Sequence, residues 1–226
     1  MSTVRAFDAL KQVAATEPPG LTAARRRFRE EAIALARAGG LGRARFTYRI
    51  VALDAPAAEL LQAGGEAFYA PRMLPASGEL TALAFGVCTL GDALVTAVRD
   101  LFAQRRMSLA LALDTLGNQM LMETSRRLQD RILADVGKRG LTMAGELRAG
   151  DPGLALDAQP AVARLAGAAD IGVRTTASLA LEPSKSATVM FGVGRDLPPA
   201  LWSRCDECRS LKTCAVALRA AAVAPV

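Results

Sequence analysis

The chain has 226 residues, of which 51% are hydrophobic and 22% charged, so it can bury a sizeable core and is not expected to be disordered. Its formal net charge is +6, but the tight basic runs lie in helical patterns beside acids and aromatic residues are few, so nucleic-acid binding is disfavoured. The sequence contains no histidine, which excludes Ser-His-Asp catalysis, Cys-His catalysis and histidine metal sites within this chain.

The sequence also bears on the compartment. No apolar run approaches the roughly 20 residues that a membrane-spanning helix needs. Residues 1–7 lack the basic and then apolar pattern of a signal peptide. We therefore expect a cytoplasmic protein that makes no membrane contact.

The first part of the chain predicts one helix and two extended segments. Residues 20–38 carry apolar side chains at helical spacing and are followed by Gly39 and Gly40, which predicts a helix that stops there. Residues 45–51 alternate between apolar and polar side chains, which predicts a half-buried strand. Residues 67–73 predict a second, short extended piece between glycine and proline turns.

A buried strand and two helices are predicted next. Residues 79–87 are almost continuously apolar, as in a strand buried on both faces. A helix then follows from Asp92, whose side chain is expected to cap it, to about Gln104. A longer helix is predicted over residues 108–138, because its leucines, methionine and isoleucine form one apolar stripe.

The remaining elements complete an α+β pattern. Residues 141–147 predict a strand, 148–154 a tight loop and 159–168 a short helix. Residues 173–181 alternate most clearly of all, so they predict a strand that pairs as a hairpin with residues 188–193. Long helices beside mostly antiparallel strands predict an α+β fold, with a twisted antiparallel sheet.

Three regions are expected from this pattern. Residues 1–42 form an N-terminal helical segment, residues 43–196 form the α+β domain, and residues 197–226 form a C-terminal tail that carries a cluster of cysteines. The boundaries follow the glycines after the first helix and the end of the last extended segment.

Four motifs in a fixed order point to a known family. They are Cys-Thr-Leu-Gly at 88–91, Leu-Asp-Thr-Leu-Gly at 113–117, Arg148 followed by Pro152-Gly153, and Asp-Ile-Gly-Val-Arg-Thr-Thr-Ala-Ser-Leu-Ala-Leu-Glu-Pro-Ser-Lys-Ser at 170–186. Together, over residues 46–194, they resemble the S-adenosylmethionine-binding activation domain of cobalamin-dependent methionine synthase. The resemblance is closer still to free-standing bacterial relatives of that domain, and it implies the activation-domain fold.

The resemblance also implies a ligand site. In the family, an arginine followed by Pro-Gly-Tyr binds the methyl donor, and a Pro-x-x-Ser segment lines the same cleft. Carried over, these residues are Arg148, Pro152, Gly153, Pro183 and Ser186. An arginine fork suits the donor's carboxylate, and a Pro-Gly turn lets backbone groups approach a ligand. Ordinary turns at both segments would account for the same residue types.

The chain departs from the family pattern at three places. One extra residue separates the arginine from Pro-Gly, and Leu154 stands where the family has tyrosine. Met122 stands where the resemblance implies a helix glutamate, with Glu123 beside it.

The tail carries a candidate metal site. Cys205, Cys208 and Cys214 have the spacing C-x2-C-x5-C, which can bring three thiolates onto one metal ion or cluster. Neighbouring arginine and lysine side chains favour the thiolate form. Either an iron–sulfur cluster with one open iron or a zinc ion is compatible with this set. Cys88 is a possible fourth zinc ligand, but its apolar surroundings favour packing in the core.

The resemblance implies an accessory protein that reactivates a cobalamin-dependent (corrinoid) methyltransferase. It would bind S-adenosylmethionine and support reductive methylation of cobalamin held on a partner protein. The electron would come from the iron–sulfur cluster or from a partner flavoprotein. The alternative is a non-enzymatic module that binds a corrinoid partner or another ligand and uses the cysteines as a structural zinc or iron–sulfur site.

Overall fold

A computed structural model describes residues 4–198, which form a five-stranded antiparallel sheet with helices on both faces. The helices are α1 (Ala9–Ala14), α2 (Ala23–Ala38), α3 (Asp92–Ala103), α4 (Met107–Gly137) and α5 (Gln159–Ala166). The strands are β1 (Arg5–Asp8), β2 (Arg43–Ala52), β3 (Leu60–Ala63), β4 (Glu66–Tyr69), β5 (Glu79–Thr89), β6 (Thr142–Leu147), β7 (Arg174–Thr175), β8 (Leu181–Glu182) and β9 (Ser186–Arg195). This combination of helices and antiparallel strands confirms the predicted α+β fold.

The main sheet has the strand order β1-β2-β5-β9-β6, and every neighbouring pair is antiparallel. Successive side chains of a strand point to opposite faces, so β5 separates two cores. Phe85 and Val87 pack on the face that α5 covers. Ala84 and Cys88 pack on the face that the second half of α4 covers. Burial on both faces explains why residues 79–87 are almost continuously apolar.

A third core lies among the helices. The first half of α4 packs against α1, α2 and α3, where Leu94, Leu109 and Leu113 are buried. β1 pairs with β2, so residues 5–38 contribute both to the sheet and to this helical core. The division of the chain at residue 42 stays a prediction.

The predicted long strand over residues 173–181 is wrong, and so is its hairpin with residues 188–193. β7 and β8 instead form a two-stranded hairpin of their own, and β9 pairs with β5 and β6. Between β7 and β8, Thr176 accepts a hydrogen bond from the Ala180 amide, and Leu179 takes a φ of +65°. Threonine and serine side chains compete with strand pairing in this way, and periodicity does not register it.

Two smaller expectations also need correction. Asp92 is not the cap of α3: Gly91 is the cap residue, its amide donates to Thr89 Oγ1, and Asp92 lies in the first turn. An acid in the first turn still suits the helix dipole. The extended piece at residues 67–73 is β4 followed by a 3₁₀ turn at Pro71–Met73, and β4 pairs with β3, a strand not predicted.

No helix within residues 4–198 is both long enough and apolar enough to cross a membrane.

Candidate functional site

The two segments implied by the resemblance lie at the same end of the main sheet. β6 ends at Leu147, just before the Arg148–Leu154 loop, and β9 begins at Ser186. Because β6 and β9 are antiparallel, the end of one lies near the start of the other, and Leu147 pairs with Met190. β5 also ends here, with Thr89 opposite Ser186.

Arg148 is held by contacts from two elements. Its Nη2 donates to Ser125 Oγ of α4 at 2.8 Å and to Glu146 Oε1 at 3.1 Å, and its Nε donates to the same oxygen at 3.2 Å. Its backbone amide donates to Asp151 Oδ2. The Arg148 side chain is 24% exposed, so the guanidinium is fixed but still reaches solvent. Within residues 4–198 its Nη1 donates no hydrogen bond, so this nitrogen can serve a ligand.

A β-bulge in β6 brings Glu146 next to Arg148. Ala144 pairs with Gly192 and Leu147 with Met190, so three steps along β6 match two along β9. Gly145 takes a φ of +70° at this bulge. Without the extra residue, Glu146 would lie opposite Met190 in the apolar core beneath α5. With it, Leu147 enters that core, and Glu146 and Arg148 both project toward α4.

Lys185 connects the Pro183–Ser186 turn to α4, the helix that Arg148 also contacts. Its Nζ lies 2.7 Å from Asp114 Oδ1 and 2.6 Å from Asn118 Oδ1, and its side chain is 13% exposed. Its carbonyl oxygen accepts a hydrogen bond from the Leu90 amide, which ties the turn to the end of β5. Lys185 lies within a motif that pointed to the family, but the sequence did not predict its two partners.

One face of α4 therefore spans both segments. Asn118, Met122 and Ser125 are spaced by four and three residues, so they share a face of the helix. Asn118 contacts Lys185 and Ser125 contacts Arg148, about 10 Å apart along the helix axis at 1.5 Å per residue. Met122 lies between these contacts and is 40% exposed. This face has an ion pair at each end and a thioether between them, and it is the candidate for the cleft that the resemblance implies.

The other residues implied by the resemblance have mixed surroundings. Pro183 is buried, and the Ser186 hydroxyl bonds Thr89 Oγ1 at 2.8 Å, so both help to hold the start of β9. Pro152 is exposed on the Arg148 loop. Gly153 takes a φ of +93°, and a Cβ there would lie 3.1 Å from Arg72 Cδ, so a structural requirement alone accounts for this glycine.

Leu154 does not face the cleft. Its side chain is 2% exposed and packs in the core beneath α5. Leu154, at the position that holds tyrosine in the family, therefore anchors the Arg148 loop to the core in this chain. The resemblance implies an acid at position 122, where this chain has methionine. A carboxylate nevertheless lies nearby. Arg148 contacts both Glu146 and Ser125, and Ser125 lies three residues after Met122 on α4.

Cys88 is a core residue, as its sequence surroundings favoured. Burial raises the pKa of its thiol to about 12, and the nearby charge of Arg148 opposes that rise only in part. The thiol is therefore protonated at neutral pH and is a poor metal ligand. Within residues 4–198 no cluster of cysteine and acidic side chains could hold a metal ion. Cys205, Cys208 and Cys214 lie outside the described residues, so the metal site stays a prediction.

A separate groove of about 590 Å³ lies between α2 and the first half of α4. Leu21, Phe28 and Leu111 give it an apolar lining. Arg29 at its edge is committed to Gln119 Oε1 and to the carbonyl oxygens of Val13 and Thr16.

The comparisons with known proteins establish the fold. No protein-family model matches the chain, and no curated protein matches it. Among solved structures, it is similar to the MetH reactivation domain bound to AdoHcy, with a TM-score of 0.65 and 8% sequence identity. The match covers 90% of this chain and 81% of that one. The activation-domain-like fold that the motifs implied is therefore confirmed, and an identity this low carries nothing finer.

Proposed function

We propose that this chain is an accessory protein for a cobalamin-dependent methyltransferase such as methionine synthase, and that it binds S-adenosylmethionine in the cleft between the Arg148–Leu154 loop and the Pro183–Ser186 turn. The observation that carries the proposal is the shared face of α4, which contacts Arg148 at one end of the cleft and Lys185 at the other. The MetH reactivation domain, which has the same fold, was solved with AdoHcy, the product left when S-adenosylmethionine loses its methyl group.

The chemistry fits the residues that are present. A corrinoid on the partner would supply the centre for the one-electron reduction and the acceptor for the methyl group, and the residues of this chain would hold the sulfonium donor, whose product is S-adenosylhomocysteine. Such a transfer needs the donor to be positioned and requires no proton transfer, so a chain without histidine can support it. Arg148 offers Nη1 to the donor's carboxylate, while Glu146 and Ser125 hold the guanidinium in place. The protein would act in the cytoplasm, with the electron supplied by a tail cluster or by a flavoprotein.

Calorimetric titration of S-adenosylmethionine into the full-length protein tests the proposal. Wild type should bind, and Arg148→Ala should weaken binding about a hundredfold, because a charge-assisted contact to the carboxylate contributes a few kcal/mol. Arg195→Ala is the matched control: Arg195 also pairs with a glutamate, Glu79, but at the opposite end of β9, so its loss should leave binding unchanged. Wild type that shows no binding at millimolar S-adenosylmethionine would remove the donor role.

A second candidate is a non-enzymatic module that binds a corrinoid protein or another ligand and uses the tail cysteines as a structural site. The buried Leu154 and the exposed Met122 favour it, because each replaces a polar side chain that the resemblance implies. Metal analysis separates the two candidates. Brown protein that contains iron supports a redox role, and colourless protein that contains zinc supports the structural one.

A further inference from the structure

The groove between α2 and the first half of α4 has helical walls. On α4 its lining residues are spaced by three and four along one face of the helix: Ser108, Leu111, Ala112, Thr115 and Gln119. That face runs for about 16 Å, or about three turns, at 1.5 Å per residue. The opposite wall comes from the first two turns of α2 and the segment before it, which place Phe28 and Leu21 there. A groove between two such faces has the shape that accepts the apolar side of a third helix.

Apolar side chains in and beside the groove are in contact with water. Leu111 is 59% exposed, and Met107, four residues earlier on the same face of α4, is 57% exposed. Leu21 and Phe28 across the groove are only partly buried. Neighbouring apolar side chains with this exposure are typical of a surface that binds another molecule.

The charge of the groove is positive. Among residues 4–198, the charged side chains that line it are Arg25 and Arg29. Arg27 lies close by, because its guanidinium stacks over the Phe28 ring at 5.2 Å from the centroid. An occupant that places carboxylates beside the groove would therefore meet charges of the opposite sign.

Acids on the neighbouring surface are already paired with other arginines. Glu17 Oε1 lies 2.8 Å from Arg26 Nη2, and the hydrogen bond from Arg26 lowers the pKa of the Glu17 carboxyl. Glu31 of α2 forms an ion pair with Arg106, just before α4. These acids therefore leave the arginines that line the groove as its main charges.

Charge also distinguishes among the possible occupants. The tail, residues 199–226, contains four cations and two acids, so it would bring like charge to Arg25. A second copy of the chain that docked through the same surface would bring the same arginines together. A helix with acids on both sides of an apolar stripe has neither disadvantage.

We propose that this groove is a docking site for an acidic amphipathic helix of a partner protein. The apolar stripe of that helix covers Leu111 and Phe28, and its flanking carboxylates face Arg25 and Arg27. The site lies on the first half of α4 and is independent of the donor site proposed above.

Two synthetic peptides of about 18 residues test the proposal with the full-length protein, since peptides of that length can form a helix alone. Both carry the same leucine stripe, and the flanking positions are glutamate in one peptide and lysine in the other. Wild type should bind the glutamate peptide at least about tenfold more tightly than the lysine peptide at low ionic strength. Fluorescence anisotropy of the labelled peptides measures both affinities.

Two pairs of variants locate the site. Leu111→Asp places a charge in the apolar contact and should weaken the glutamate peptide by about tenfold or more. Leu133→Asp, at a leucine that is 49% exposed on the second half of α4, should have no effect. Arg25→Glu should weaken the glutamate peptide and strengthen the lysine peptide. Arg195→Glu, at the exposed last residue of β9, should change neither.

These four residues are exposed, so each variant should fold, which a melting curve checks. Equal binding of the two peptides, or unchanged binding by Leu111→Asp, would overturn the proposal. A wild-type dimer in light scattering that Leu111→Asp dissociates would also overturn it, because the occupant is then a second copy. Wild type that binds neither peptide overturns it as well. If the tail variant Leu218→Asp then gains binding of the glutamate peptide, the occupant is the tail.

Discussion

Gly153 shows how a single residue can be required both for the fold and for a site. It combines a φ of +93° with a position where an added Cβ would meet Arg72 Cδ at 3.1 Å. Any other residue there has to adopt a left-handed backbone and also displace that side chain. The Pro-Gly pair therefore supports the shape of the Arg148 loop whether or not a ligand contacts it.

Gly153→Ala and Gly150→Ala form a matched pair. Both glycines lie in the Arg148 loop with φ near +90°, but a Cβ at Gly150 meets only Leu156 Cδ1, at an ordinary 3.5 Å. Gly150→Ala should lower the free energy of unfolding by about 1–2 kcal/mol through backbone strain. Gly153→Ala should lower it by about 1 kcal/mol more, because Arg72 must also move. Urea denaturation measures both, and equal losses would show that the Arg72 contact adds nothing.

At the scale of elements, α4 organises the cleft. Its first half is buried among α1, α2 and α3, and its second half covers one face of the sheet. The face between these halves contacts both candidate segments, so the separation of the segments is set by a rigid helix. A ligand held by both segments would therefore bind to a largely preformed site.

Lys185→Met tests how firmly α4 holds the second segment. The variant loses the ion pair to Asp114 and the hydrogen bond to Asn118, and it should lose about 1 kcal/mol of stability because the Lys185 side chain is only 13% exposed. Exchange of the Leu90 amide hydrogen, which is bonded to the Lys185 carbonyl, should speed up. Lys138→Met is the control, because Lys138 is exposed and lies 3.8 Å from Asp135, so that variant should lose less than about 0.5 kcal/mol.

Equal stability of the two lysine variants, with unchanged exchange at Leu90, would contradict a fastening role for Lys185.

Long elements with a clear period could be predicted from the sequence. The helix expected over residues 108–138 is α4, Met107–Gly137, because an apolar stripe of that length has few alternatives. β1 was not predicted, since it is four residues long and has no buried alternation. The alternation over residues 173–181 was misleading, because the residues between Val173 and Leu181 are exposed or only partly buried, and only the two ends pack against a core.

The site was predicted less completely than the fold. The resemblance singled out Arg148 and Ser186, and the antiparallel register does bring their segments to one end of the sheet. The partners Glu146 and Ser125 could not be predicted, because they depend on a bulge and on how α4 lies across the sheet. Both are long-range features that local patterns do not encode.

At the scale of the whole molecule, three hydrophobic cores are connected through two elements, β5 and α4. β5 separates the two cores of the sheet, and α4 joins one of them to the helical core. The predicted cysteine site belongs to the tail, outside residues 4–198, so we expect its loss to leave this packing intact.

Single cysteine-to-serine variants test that expectation. Cys205→Ser, Cys208→Ser and Cys214→Ser should each lower the bound iron or zinc measured by elemental analysis, because each removes one of few thiolates. Their far-ultraviolet circular dichroism should match wild type. Cys88→Ser should keep its metal, since that thiol is buried and protonated at neutral pH. Full metal content in all three tail variants would rule out the site.

The β6 bulge has a further consequence for how copies of the protein meet one another. Within residues 4–198, β6 and β1 are the two edges of the main sheet, and an edge with free amide and carbonyl groups invites strands from other molecules. The bulge at Gly145 interrupts the regular spacing of those groups along β6, and β1 is four residues long and begins with Arg5. Each edge is therefore a poor template for an added strand. The irregularity that sets Glu146 beside Arg148 also helps to keep the sheet from extending into aggregates.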